Sequence, residues 1–387
     1  MKFLKRIQIL FLIESLSEGG AEKVLSTLLK HVDKTKFDVT LCCVVDTGKY
    51  VDEVKSYVRY KPILPNPIGL KGWNFLMYKI KYTLLYRWLP LRLVYNWFVP
   101  KGADVEVAFV EGFATKLLSY STNKKAKKIT WIHTDFCNNH WTLGSVFHTI
   151  EEEKRCYERY NQVITVSNTA NKAFKSNFPS IKVPVATIYN PIDNIDILHQ
   201  SLEPIGEERR DISVMRIVSV GRLTAIKAFD RLLHIIVKLK RLDYKVELWL
   251  LGEGEKRKEL EDIIKQENLS DIVTLWGFQS NPYKYMVHCD LFVCSSLGEG
   301  LSTVVTEALI LGLPVVTTDC SGMVELLKGG DCGIITENSE DALFDGVRGL
   351  LDHPESLLKY KEKTKMRGNE FNISRLIKPI EDLFASC

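Results

Sequence analysis

Long uncharged apolar runs are missing from this chain of 387 residues: none reaches the roughly 18 residues that a membrane-spanning helix needs. Paired cysteines are missing too. The nine cysteines include no CxxC spacing and their total is odd, which excludes an evident disulfide framework and points to reduced thiols in a cytoplasmic protein. Cys42 and Cys43 are adjacent within a strand-like run, where core packing is their expected role. Metal chemistry finds no foothold. There is no HExxH, no CxxC and no isolated DxD placed after a strand, and the eight histidines are scattered. No internal repeat or low-complexity tract is present, which excludes solenoids and arrays. Lys2, Lys5 and Arg6 ahead of Ile7–Ile13 imitate a short signal peptide. However, Glu14 and the Gly19-Gly20-Ala21-Glu22 turn follow without a convincing cleavage site. A buried first strand of a parallel sheet explains the run better.

The length suits two domains, and the apolar and charged fractions are those of a globular protein. The net charge of +4 conceals an asymmetry. Residues 1–200 carry 28 Lys and Arg against 18 Asp and Glu, and the remainder 24 against 30. A basic half and an acidic half imply two domains with different partners.

Short β-rich apolar runs alternate with helical patterns throughout, the signature of α/β domains with parallel sheets and crossover helices. In the first half the expected strands are Ile7–Ile13, Asp38–Val45, Val105–Phe109, Lys128–Ile132, Gln162–Val166 and Val185–Ile188. In the second they are Met215–Val220, Val246–Leu251, Val273–Trp276, Leu291–Cys294, Val315–Thr318 and a short Gly333–Ile335. Leu202–Ile212, with Pro204, Gly206 and six charges, reads as a linker. The expected domains are 1–200 and 214–370, joined by 201–213, with 371–387 a last helix.

The most informative stretch is Ser296–Ala308, S-L-G-E-G-L-S-T-V-V-T-E-A. The strand-like Cys289–Cys294 precedes it, a glycine-containing turn opens it, and a helix closes it. Such a turn directs backbone N–H groups at one point, where the helix dipole favours negative charge. Glu299 at the mouth of the turn can accept hydrogen bonds from a polyhydroxylated ligand. Glu307, eight residues on and about two helical turns deeper, can reach another part of the same ligand. Val218–Lys227 repeats the strand-to-loop arrangement with Gly221, Arg222 and Lys227. There a guanidinium fork and a mobile ammonium suit a diphosphate.

The E-x7-E spacing, followed by Gly312-Leu313-Pro314-Val315-Val316, resembles the retaining glycosyltransferases of family 4, whose fold is GT-B: two Rossmann-like parallel-sheet domains facing across a cleft. By that resemblance Glu299 contacts the transferred sugar and Glu307 the nucleotide ribose, with Gly300, Leu301, Ser302 and Thr303 around the donor. Arg222 and Lys227 match the family's G-R-x-x-x-x-K-G segment and inherit the pyrophosphate. This chain has Ala228 where the family usually has glycine, a change that tightens the loop without removing either charge. Gly252, in Leu251–Glu255, and Gly277, in Trp276-Gly277-Phe278, fall on segments that line the nucleotide pocket. The G-x-G at Gly252 alone is weak, because Arg257 stands at the third glycine position. Trp276 is as suited to core packing as to framing a uracil. Gly19 and Gly20, within Glu18–Glu22, match the loop that faces the diphosphate and acceptor. His133, at the carboxyl edge of the strand ending in Trp131-Ile132, matches a histidine that touches the donor sugar. Asn190-Pro191-Ile192-Asp193 matches the N-P-I/V-D segment and reads as a capped turn. The last helix crosses back to the first domain in many GT-B enzymes.

One segment points to a membrane surface. Gly69–Gly102 contains Lys71, Lys79, Lys81, Arg87, Arg92 and Lys101, no acidic residue, and nine interleaved aromatic side chains. Basic charge attracts anionic headgroups, and Trp and Tyr favour the interface. Pro90 and Pro100 break the segment into pieces too short to span a bilayer. The alternative is an amphipathic helical pair packed on the sheet.

These readings converge on a cytoplasmic, membrane-associated transferase. It is expected to move a hexose or N-acetylhexosamine from a nucleotide diphosphate, UDP by preference, to a saccharide or lipid-linked saccharide. No cofactor, metal or nucleic acid is expected. The rivals are a nucleotide-sugar epimerase or hydrolase of the same fold, and a catalytically silent partner subunit.

Overall fold

The computed structural model describes residues 5–17, 19–206, 211 and 213–386. Glu18 and positions 207–210 and 212 of the expected linker lie outside the described residues. The chain divides into two compact units, Met1–Ile192 with Ser374–Cys387, and Asp193–Ile373.

The first unit is built on a seven-stranded sheet of β1 (Ile7–Ile13), β2 (Phe37–Cys43), β3 (Arg59–Tyr60), β4 (Val105–Ala108), β5 (Lys127–Ile132), β6 (Gln162–Thr165) and β7 (Val185–Thr187). Its strand order is β3-β2-β1-β4-β5-β6-β7, and every pairing is parallel. The second unit has a six-stranded parallel sheet of β8 (Met215–Val220), β9 (Val246–Leu251), β10 (Val273–Gly277), β11 (Leu291–Cys294), β12 (Val315–Thr318) and β13 (Ile334–Thr336). Its order is β10-β9-β8-β11-β12-β13.

The central strands carry continuous apolar runs because crossover helices cover both faces. Leu291–Cys294 and Val315–Thr318 are buried at every position. The helix Phe229–Arg241 shows how its spacing makes the fit. Phe229, Leu232, Leu233, Ile236 and Leu239 recur at three- and four-residue intervals, and all are buried in the core with Leu248 and Leu250 of β9. In both sheets the chain winds outwards from one strand, then restarts on that strand's other side. The reversal falls between β1 and β4 in the first sheet and between β8 and β11 in the second. At such a reversal the loops leaving the two strands diverge and open a crevice at their carboxyl ends.

The division between the units falls at Ile192/Asp193, not at residue 200. The helix Asn194–Ser201 packs on Tyr283–Met286 and Thr303–Ile310, and the Asn281 side chain donates to the Gln200 carbonyl at 2.8 Å. Eight residues that a composition-based boundary gives to the first domain therefore belong to the second. Asp193 caps that helix by accepting from Asp196 N at 3.0 Å, so the Asn190–Asp193 segment is a capped turn. At the other end of the chain, the helix Ile373–Ala385 delivers Phe384 to the core of the first unit. Its ring meets Phe11 and Phe37 edge-on at 5.8 and 6.1 Å and is fully buried. Glu381 accepts from Asp33 N at 2.8 Å beside it.

Phe384→Ala should therefore cost about 3–5 kcal/mol of stability, the usual loss for a buried aromatic ring. A urea titration followed by tryptophan fluorescence checks it, and an unchanged midpoint would mean that the helix contributes nothing to the first core.

Candidate active site

In the second unit the loops leaving β8 and β11 meet at the reversal point. Main-chain and side-chain bonds fasten them together. Leu297 N donates to Ile226 O at 2.8 Å, and Ser295 Oγ donates to Lys227 O at 2.9 Å. Thr318 Oγ1 and Cys320 Sγ, from the end of β12, both donate to Ser296 O at 2.6 and 2.9 Å. On this frame Lys227 Nζ reaches Glu299 Oε1 at 2.6 Å, and Ser296 Oγ donates to the same oxygen at 2.7 Å. Burial alone would lower the Lys227 pKa, and the Glu299 carboxylate outweighs it, holding the ammonium above its ordinary value. Lys227 therefore remains a cation although it is half-buried. Arg222, at the start of the same loop, is exposed.

The helix Thr303–Ile310 begins one short turn beyond Glu299. Ser302 caps it, its Oγ accepting from Val305 N at 3.5 Å. Glu307 lies within this helix and is only 2 % exposed. The turn Gly300–Thr303, the helix start and Lys227 thus share one corner of the unit. Gly252 and Gly277 are bonded to one another, Gly252 N donating to Gly277 O at 2.8 Å. Gly252 also has φ +146°, and a Cβ there would lie 1.9 Å from Gly221 O, so only glycine allows this main-chain approach. Trp276 packs into an aromatic group with Trp249 and Tyr285 at 5.1 and 4.7 Å, which is the core role.

Ala228 ends the Lys227 loop at φ +47°, ψ +48°, the left-handed region, with 5 % of its surface exposed. A residue with a Cβ is strained there by roughly 1–2 kcal/mol. The glycine-to-alanine change therefore leaves the turn intact and loads it with strain.

In the first unit, Gly19 and Gly20 open the helix Gly20–His31. His133 follows β5. Its main-chain N–H donates to Glu111 Oε2 at 2.8 Å, and its Nε2 lies 2.8 Å from Phe109 O. A carbonyl only accepts, so Nε2 carries the hydrogen and Nδ1 presents a lone pair. Burial holds the imidazole below its ordinary pKa, against the pull of Glu111, and keeps it neutral. Sequence reasoning missed Glu111 and Glu14. Glu111 is 1 % exposed and also accepts from Thr134 Oγ1 at 2.7 Å and Trp141 Nε1 at 3.4 Å. Glu14 accepts from Phe113 N at 2.8 Å. The available signal was position: each is the first charged residue past the carboxyl end of a central strand.

The basic aromatic segment forms the helix Gly72–Thr83, a π-helical turn Leu84–Trp88 and the helix Leu91–Phe98. Leu85, Val94 and Tyr95 anchor it in the core, whereas Gly72–Thr83 buries no residue. Trp73, Trp88 and Trp97 stand 71, 74 and 62 % exposed among exposed Lys71, Lys79, Lys81, Arg87 and Arg92. The expected packing of a helical pair is thus seen at Leu85, Val94 and Tyr95, and most of the rest of the segment stands exposed. No helix among the described residues is long and apolar enough to cross a membrane.

Comparison with known proteins agrees with this geometry. Residues 210–367 match the family described as Glycosyl transferases group 1, and residues 18–194 match Glycosyltransferase Family 4. The chain belongs to family 4 of the glycosyltransferases. It is 30% identical over 370 residues to the N-acetylgalactosamine-N,N'-diacetylbacillosaminyl-diphospho-undecaprenol 4-alpha-N-acetylgalactosaminyltransferase of Campylobacter jejuni, covering 93% of this chain and 94% of that one. It is 24% identical to the amylovoran biosynthesis glycosyltransferase AmsD of Erwinia amylovora, over 91% and 92% of the two chains. Among solved structures, Anabaena HepE in complex with UDP and glucose superposes with a TM-score of 0.76 at 18% identity, over 99% and 100% of the chains. Sucrose-phosphate synthase from Thermosynechococcus elongatus gives 0.76 at 16%, over 98% and 99%. The architecture is that of the GT-B glycosyltransferases.

The Ala228 geometry makes an ordered prediction. Ala228→Gly should change stability by no more than about 1 kcal/mol, because relief of strain offsets a lost methyl and a more flexible unfolded chain. Ala228→Val should lower it by roughly 2 kcal/mol or more, since a β-branched residue resists the left-handed region. Urea midpoints of the two variants decide it; equal midpoints would show that the turn bears no strain.

Proposed function

We propose that this glycosyltransferase takes a hexose or N-acetylhexosamine from a UDP-sugar and passes it, with retention at the anomeric carbon, to a lipid-linked saccharide in cell-surface glycan biosynthesis. The observation that carries this reading is the Lys227–Glu299 contact at 2.6 Å, at the reversal point of the second sheet and beside the start of the Thr303–Ile310 helix. A half-buried cation, an exposed guanidinium at Arg222 and a helix N-terminus together suit a diphosphate. A carboxylate beside them suits the hydroxyls of the attached sugar. The C. jejuni relative acts on a diphospho-undecaprenol glycan, and HepE was solved with UDP and glucose, which supports a UDP-sugar donor and a lipid-linked acceptor.

In the mechanism we infer, the second unit holds the donor, with Gly252 and Gly277 toward the nucleotide and Glu307 on its ribose. Gly300, Leu301, Ser302 and Thr303 shape the turn around the phosphates. Lys227 turns part of its donor capacity from Glu299 to the diphosphate, and Arg222 adds its fork. As the bond from the anomeric carbon to the phosphate oxygen breaks, its electron pair leaves with UDP, and these cations meet the growing charge. The acceptor hydroxyl attacks from the leaving-group face, and its proton passes to a phosphate oxygen. Neutral His133 offers Nδ1 to a sugar hydroxyl, and Gly19 and Gly20 supply main-chain N–H groups. In this reading no divalent metal is required. The exposed basic aromatic segment rests on the cytoplasmic face of the membrane, where the lipid-linked acceptor lies.

Glu299→Gln should depress turnover strongly and leave UDP affinity nearly intact, because its contact is with the sugar. Arg222→Ala and Lys227→Ala should each slow transfer by on the order of 100-fold and weaken UDP binding. Kinetics with a UDP-sugar panel and membrane lipid extract, with and without EDTA, measure all three. Transfer within about twofold of the parent in both cation variants would move the phosphate site elsewhere.

For the segment, Lys79, Lys81, Arg87 and Arg92 replaced together by Gln should release the protein from anionic vesicles, and added salt should do the same to the parent. Transfer to a short water-soluble acceptor should survive. If parent and variant sediment equally with vesicles, or neither does, the membrane reading fails.

A further inference from the structure

The reversal point of the first sheet carries a second cluster. Glu14 leaves β1 and Glu111 leaves β4, the two strands between which the winding reverses. Gly112 lies between them at φ +118°. A Cβ on it would stand 3.0 Å from Glu14 Oε1 and 2.7 Å from Trp141 Cη2, so the indole edge and the carboxylate flank a position that only glycine leaves open. The indole is fixed at both ends, its Nε1 on Glu111 at 3.4 Å and its far edge over Gly112, yet it remains 38 % exposed. Beside it, His133 presents the unpaired lone pair of Nδ1 while Nε2 is committed to Phe109 O.

The carboxylates are unusual in what they lack. Among the described residues no Lys, Arg or His side chain pairs with Glu14 or Glu111. Glu14 is held only by main-chain donors, and burial raises its pKa in spite of the N–H groups of Phe113 and Ala114. An enclosed carboxylate without a counter-ion is costly, and the cost falls when ligand hydroxyls donate to it. A saccharide offers both things this cluster receives: hydroxyl donors on its rim, and an apolar C–H face that lies on an aromatic ring. The cluster also opens onto a line of aromatic rings. Tyr86 stacks on Phe113 at 4.0 Å and on Tyr82 at 4.4 Å, and Tyr82 belongs to the exposed helix Gly72–Thr83.

We propose that Trp141 and Glu14 form the acceptor's saccharide subsite, with a sugar ring on the indole and two of its hydroxyls on the Glu14 carboxylate. Glu111 is a positioning residue that holds the indole and the His133 main chain in place. The inference rests on the proposed function and deepens it, since it names the groups that recognise the acceptor. The Tyr82–Tyr86 rings carry the remainder of the glycan toward the basic segment, where a lipid diphosphate would lie.

Saturation-transfer difference NMR on the full chain tests it, with UDP and methyl glycosides of glucose, galactose, N-acetylglucosamine and N-acetylgalactosamine as probes. The parent should show signal from UDP and from at least one glycoside. Trp141→Ala and Glu14→Gln should each lose most of the glycoside signal and keep that of UDP, which also shows that they have folded. Trp141→Phe should retain part of it. An undiminished glycoside signal in Trp141→Ala and Glu14→Gln, or no glycoside signal from a parent that binds UDP, overturns the subsite. A parent that binds no UDP overturns the donor reading instead.

Discussion

The ion pair between Lys227 and Glu299 is the contact on which the proposed donor chemistry of the second unit depends. Its members stand 72 positions apart in the chain and meet at 2.6 Å. They meet because β8 and β11 are neighbours, although neither is the other's neighbour in sequence. Burial on its own would draw the pKa of this half-buried cation down. The carboxylate keeps it charged, and the charge is what a diphosphate needs. Ser296, Thr318 and Cys320 hold the Glu299 turn from the other side, so the pair is preorganised and does not fold around the ligand. The strained Ala228 sits at the end of the same loop, where a fixed Lys227 main chain makes that strain tolerable.

The elements themselves were legible because parallel strands covered on both faces must be apolar throughout. All twelve expected strands are present, and Ile7–Ile13, Met215–Val220, Val246–Leu251, Leu291–Cys294 and Val315–Thr318 keep the bounds read from the sequence. Others shift by a residue or two, because a strand ends where its partner stops pairing, and that depends on a distant segment. The additional strand, Arg59–Tyr60, has two residues and no apolar alternation, and only its pairing with β2 defines it. The misplaced boundary has the same origin. Pro204, Gly206 and the charges that follow look like a linker, but the helix Asn194–Ser201 before them gains its packing from Tyr283–Met286, more than eighty residues ahead.

The candidate site was legible unevenly. Glu299, Glu307, Arg222 and Lys227 stand in spaced patterns on a turn, a helix or a loop after a strand, so they could be named as candidates, and the structure brings Lys227 to Glu299. Glu14, Glu111 and Trp141 belong to no spacing. They are brought together by the order β1-β4-β5, by a glycine at positive φ, and by a loop that returns Trp141 over it. Position past a central strand is the one linear signal for Glu14, and many ordinary strand-ending residues share it.

The contrast between the two clusters is itself informative. In the second unit the carboxylate at the reversal point has a cation 2.6 Å away; in the first, two carboxylates have none among the described residues. A paired set of charges with a spare guanidinium suits a charged ligand, which can take over the cation. An unpaired carboxylate with a half-exposed indole suits a neutral ligand rich in hydroxyls, because an anion would be repelled and a cation would leave the aromatic surface idle. One fold repeated twice would therefore, in the proposed reading, offer its two crevices to substrates of different charge. Under the proposed function the basic surface of Gly69–Gly102 fits the same logic: the anionic part of a lipid-linked acceptor would be met away from the carboxylates, on the outer helix where Lys79 and Lys81 stand exposed.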